Sequence, residues 1–136
     1  MYAASWTNAS DRKLKHDIAE IPVGLNFVKA LKPVSYIYNS STTATKTLGF
    51  VAQDVQEAMR ANTLGKEYGL VNQLDKDHLG LNTTELIPVL TKAIQEQQTQ
   101  IETQQKQIEM HQKQIEAQNA LIEKLGKRLE TLERKP

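Results

Sequence analysis

The sequence predicts an α+β chain: a small globular part of mixed helices and strands, followed by a long C-terminal helix that forms a parallel trimeric coiled coil. Three observations carry this. Ile94, Ile101, Ile108, Ile115, Ile122 and Leu129 recur at every seventh position, the repeat that keeps one apolar seam of a helix turned toward a partner. Upstream, apolar residues change between helical and alternating periods over short stretches divided by Pro, Gly, Ser and Thr, as short mixed elements do. The chain has 136 residues and 5% aromatics, so the part outside the long helix has little core of its own.

Residues 1–10 show no period and read as the tail of an upstream passenger, 11–82 as the globular part, and 83–136 as the helix with its coiled coil. A cluster of ionisable side chains from Ser10 to Asp17 precedes the first apolar pattern. Pro22 followed by Val23, Leu25, Phe27, Val28, Ala30 and Leu31 predicts a short helix with proline at its start, closed by Pro33. Val34–Tyr38 is β-branched and aromatic and predicts a strand. The Ser/Thr-rich segment 39–47 is a connection, and Leu48–Ala52 returns as an antiparallel partner. Asp54–Arg60 carries Val55, Ala58 and Met59 at helical spacing, with Leu64-Gly65 marking its end. Tyr68–Val71 and Leu79–Leu81 are weaker strands around a polar turn at Asp75-Lys76-Asp77. Asn82-Thr83-Thr84-Glu85 has the spacing of a capping box and opens the long helix, with Pro88 early enough to be accommodated.

With the isoleucines at the first core position, the second reads Gln97, Gln104, His111, Gln118, Leu125 and Leu132. The opposite register loses both leucines, so this one is preferred. Leucine opposite isoleucine favours two strands, but the amide layers favour three, because glutamines around a three-fold axis can bond to one another or to a trapped water. Glu102, Glu109, Glu123 and Glu130 stand four residues before Lys106, Lys113, Lys127 and Arg134, the order that supports an exposed helix face. The core is flanked by neutral Gln100, Gln105, Gln107, Gln112 and Gln114 rather than by opposed charges that choose a different partner, so the expectation is a homotrimer.

Net charge is +1, from 17 Lys+Arg against 16 Asp+Glu. No basic excess is clustered as nucleic-acid binders cluster it, and no basic helix precedes the heptads as in a DNA-binding zipper. Cysteine is absent, which removes disulfides, thiolate metal sites and cysteine nucleophiles. No apolar run approaches the ~20 residues of a membrane span, and residues 1–9 lack the pattern of a secretory signal. The expected partners therefore include no nucleic acid and no membrane, and no cofactor is expected. His78 beside Asp75 and Asp77 does not fit a calcium loop, since Leu79 interrupts the oxygen ligands and Glu85 closes one residue early. Tyr2 and Trp6 read as passenger or interface contacts.

A serine becomes a nucleophile when a base takes its proton, and a lysine can be that base when burial or a neighbouring cation keeps its amine neutral. Ser10 and Lys15, with Arg12, Lys13 and His16 nearby, hold the right groups, but by spacing alone the run reads as a solvated basic segment. The ordered blocks Ser10-Asp11-Arg12-Lys13-Leu14-Lys15, Pro33-Val34-Ser35-Tyr36, Gly49-Phe50-Val51-Ala52-Gln53-Asp54-Val55 and Leu86-Ile87-Pro88-Val89-Leu90 ahead of a long terminal helix resemble the C-terminal intramolecular chaperone domain of phage tail spikes and tail fibres, the endosialidase-type self-cleaving peptidases. The resemblance spans about Ser10 to Gln97. It implies a domain that trimerises, assists folding of a preceding β-rich passenger in the host cytoplasm during phage assembly, and then cuts itself away from a passenger that goes to the virion tail. It also implies cleavage between Ser10 and Asp11, with Ser10 as nucleophile and Lys15 as base. Lys13, where that family carries arginine, and His16 are possible supporting groups. The second reading is a structural trimerisation module that stays attached, with Ser10 and Lys15 inert.

Overall fold

Gly24 decides where the first helix begins. The structure is a computed structural model that describes residues 9–134, so most of the segment 1–10 expected to be a passenger tail, with Tyr2 and Trp6, lies outside the described residues. Helix α1 spans Leu25–Ala30 behind Gly24 as N-cap, and Pro22 stands ahead of the helix rather than inside its first turn. Glycine has no side chain with which to cap, and the Leu25 N–H instead donates to the Glu96 carboxylate at 2.8 Å. A Cβ on Gly24 would lie 2.5 Å from Glu96 Oε2, so the missing side chain is what admits the carboxylate.

Strands β1, Val34–Tyr36, and β2, Thr47–Gly49, pair antiparallel with Val34 opposite Gly49 and Tyr36 opposite Thr47. The ladder is shorter than expected. Ile37 and Tyr38 pass beyond it, and the chain after Gly49 turns into helix α2, Ala52–Ala61, behind an extended Val51. That helix buries Val55, Ala58 and Met59 on the face their spacing predicts. It ends with Thr63 N–H donating to Arg60 O and Leu64 N–H donating to Met59 O, a paired C-terminal closure that needs a left-handed residue between helix and exit. Thr63 takes that conformation, at φ 57°, so the helix ends just ahead of the Leu64-Gly65 pair expected to mark its end.

Strand β3 is Val71–Gln73, later than the expected Tyr68–Val71, and pairs antiparallel with β4, Leu79–Leu81. Tyr68 is held in a turn to Gly65, and Leu70 is buried while its carbonyl accepts from Asn82 N–H. The long helix α3 runs unbroken over Leu86–Glu133, 48 residues, or about 72 Å at the α-helical rise. Pro88 is its third residue, where the missing N–H would have had no intrahelical partner. The capping box does not form. A 3-10 turn over Thr83–Glu85 comes first, so Glu85 is already helical, and the Asn82 amide donates to Glu85 Oε1 while Thr84 Oγ1 donates to Asn82 Oδ1.

The core lies between α1, α2, the second hairpin and the first two turns of α3. Phe27 and Val55 are its fully buried members at 0% and 1% exposure, packed with Met59, Leu64, Leu70, Leu86 and Val89. The four Glu/Lys and Glu/Arg pairs of α3 are exposed as expected, yet none closes to ion-pair distance among the described residues. Surface pairs gain too little to fix two long side chains in one geometry. The α+β architecture with its long terminal helix stands.

Candidate functional site

The segment from Ser10 to Lys15 folds back on itself. Asp11 caps a 3-10 turn over Arg12–Leu14, its carboxylate accepting from Lys13 N–H at 2.8 Å, and Lys15 N–H closes the turn on Arg12 O. Short polar caps of this kind are ready alternatives to longer secondary structure. The turn returns Lys15 toward Ser10, and Lys15 Nζ donates to Ser10 Oγ at 2.6 Å. Ser10 Oγ, Lys15 Nζ and the Ser10–Asp11 bond thus lie within six residues of chain. Ser10, Asp11, Lys13, Lys15 and His16 are all exposed in the single chain. His16 is engaged elsewhere, its Nδ1 lying 2.7 Å from Asp17 Oδ2, with Asp17 in the left-handed region at φ 52°.

Two long-range contacts hold this N-terminal segment to the long helix. Lys92 Nζ donates to Glu20 Oε2 at 3.3 Å, and Glu96 caps α1 as described. Neither has a local signal in the sequence, because the partners lie 72 and 71 residues apart. Beside the first contact, Glu20, Ile21, Ile87, Pro88, Thr91, Lys92 and Gln95 line an open groove of about 550 Å³.

The heptad stripe is open along α3. Ile94, Ile101, Ile108, Ile115, Ile122, Leu125 and Leu132 are exposed, Ile94 at 65%, as are Gln97, Gln104, His111 and Gln118. The stripe also begins one heptad earlier than expected. Ile87 and Leu90, at 63% and 43%, remain exposed while Leu86, Val89 and Ala93 on the neighbouring face are buried in the chain's own core. The signal was available, since Ile87 and Leu90 lie seven residues before Ile94 and Gln97.

At the tip of the second hairpin, the Asp75 carboxylate accepts from the N–H groups of Asp77 and His78 and meets the His78 ring at 2.8 Å. These bonds, that of the Asp77 N–H first and the His78 side chain next, hold Asp75 below the usual carboxylate range. The group is a turn staple, as expected, and among the described residues of one chain no three His, Cys, Asp or Glu side chains gather as a metal site.

Residues 10–64 match the model of a peptidase family described as chaperone of endosialidase. The match starts at Ser10 and runs through α1, the first hairpin and α2 to Leu64, and it supports the endosialidase-type C-terminal chaperone domain. Neither the search of curated proteins nor that of solved structures finds a match.

Proposed function

We propose that this chain is an intramolecular chaperone that trimerises through α3, assists folding of a β-rich tail spike or fibre passenger preceding it in the same chain, and releases itself by cutting between Ser10 and Asp11. One observation carries the reading: the family match begins at Ser10, the residue whose hydroxyl lies 2.6 Å from Lys15 Nζ. The setting is the host cytoplasm during phage assembly, with the passenger bound for the virion tail.

The chemistry limits how the pair can work. Lys15 donates to Ser10 as the two now stand, whereas a general base must be neutral and accept the hydroxyl proton. Burial favours the neutral amine, and both groups are exposed in one chain, so cutting follows an assembly step that covers them. A serine hydroxyl attacking its own carbonyl would close a four-membered ring. The attacking oxygen is therefore either Ser10 Oγ of a neighbouring copy or a water activated at the pair. In either case the Ser10–Asp11 C–N bond breaks, the Asp11 amine leaves with the proton that Lys15 took, and water completes any acyl intermediate.

Mass spectrometry of the full chain with its native upstream residues tests this. Wild type should yield a fragment starting at Asp11, while Ser10→Ala and Lys15→Ala remain folded, trimeric and uncut. Cleavage at the same bond in both variants would refute the pair. Co-folding the two variants separates the routes, because a cut in mixed trimers requires a group from the neighbouring copy. The non-cleaving reading is favoured by the open exposure of both groups, and an uncut wild type that is trimeric would establish it.

A further inference from the structure

We infer that three copies of His111, brought together on the axis of the assembled α3 helices, form a site for one divalent transition-metal ion of the zinc type. The inference rests on the trimer reading above. His111 occupies the second core position in the same stripe as Gln104 and Gln118, with Ile108 and Ile115 as the apolar layers before and after it. Helix α3 is continuous through this region, so the heptad frame that sets its position holds.

The three histidines of the chain are not equivalent. His16 and His78 each lie against a carboxylate, at 2.7 and 2.8 Å. Among the described residues, His111 is given no such partner by its own chain. The positions flanking the core at this level are Gln107, Gln112 and Gln114, so no carboxylate stands beside the seam to hold an imidazolium there. Glu109 and Lys113, the nearest charges, fall on outward positions of the repeat.

Assembly thus takes three imidazoles out of water, each with ring nitrogens that must find partners. A metal ion satisfies all three at once. Three histidines leave zinc a fourth position for water, the isoleucine layers limit solvent entry, and the flanking glutamine carbonyls offer acceptors for the remaining ring N–H groups. Because one chain gathers no three ligands among its described residues, the site exists only in the assembled molecule and binding the ion stabilises that state.

The test uses the untagged full chain stripped with a chelator. Zinc chloride should raise the melting temperature of the helix and saturate in calorimetry at one ion per three chains. Cobalt(II) should give the intense visible bands of tetrahedral coordination. His111→Gln, which copies the adjacent layers and so keeps the helix, should lose all three responses. A trimer indifferent to zinc, or a response retained in His111→Gln and arising at His16 or His78, would overturn the metal site and leave the trimer standing. A dimer by sedimentation equilibrium, with and without zinc, would overturn both.

Discussion

Thr63 sits at φ 57°, a backbone region that costs a side chain bearing Cβ roughly 1–2 kcal/mol. Thr63→Gly removes the strain but loosens the unfolded chain, which offsets part of the gain. The expected net stabilisation is about 1 kcal/mol, or a rise of about 4–8 °C in the melting of the globular part; no rise would show that the threonine is not strained. Asp75 predicts a pH effect of known sign. Its folded carboxyl is held below its ordinary 3.8, so its contribution is present above that value and is lost as pH falls through the lower, folded one. Amide chemical shifts of residues 74–78 should therefore move together at a pH below 3.8, and Asp75→Asn should abolish that transition. A midpoint at or above the ordinary value would contradict the staple.

At the scale of elements, what the sequence showed followed from periodicity and what it hid followed from distance. The heptads of α3, the buried face of α2 and the existence of both hairpins rest on local repeats, and these were legible. The hairpins' exact ends were not, because Ile37, Tyr38 and Phe50 have strand-like side chains whichever side of a ladder they fall. The N-terminus of α1 was hidden for a stronger reason: its cap comes from Glu96. Glu96→Ala should cost about 0.5–2 kcal/mol, the usual worth of a cap. It should also speed hydrogen exchange at Leu25 and Asn26 without altering α3 beyond residue 100. Equal protection in the variant would mean the contact contributes nothing. The site was half legible in the same way: residue types and resemblance named Ser10 and Lys15, but only the turn capped by Asp11 brings them together. Their environment in an assembled molecule has no local signature.

For the whole molecule, the open stripe and the small core are two sides of one fact. Phe27→Ala should destabilise the globular part by about 3–5 kcal/mol, a large share of the 5–15 kcal/mol typical of a domain. The exposed apolar residues from Ile87 to Leu132 add nothing to that core, and under the proposed trimer they would stabilise the chain by burial against other copies. Replacing Gln97, Gln104 and Gln118 together by leucine should raise the melting temperature and loosen register or oligomer order, readable by sedimentation equilibrium. A lower melting temperature would show that the amide layers stabilise the assembly outright.

The contact between Leu25 and Glu96 also sets a clock. At about 5–20 residues per second of synthesis, Glu96 is made roughly 4–14 s after Leu25, their separation being 71 residues. During that interval α1 has been made but lacks its cap, and for most of it the Leu86 and Val89 that complete its core do not yet exist. The globular part therefore closes late in its own translation, after any segment encoded ahead of Ser10 has had longer to search for its fold.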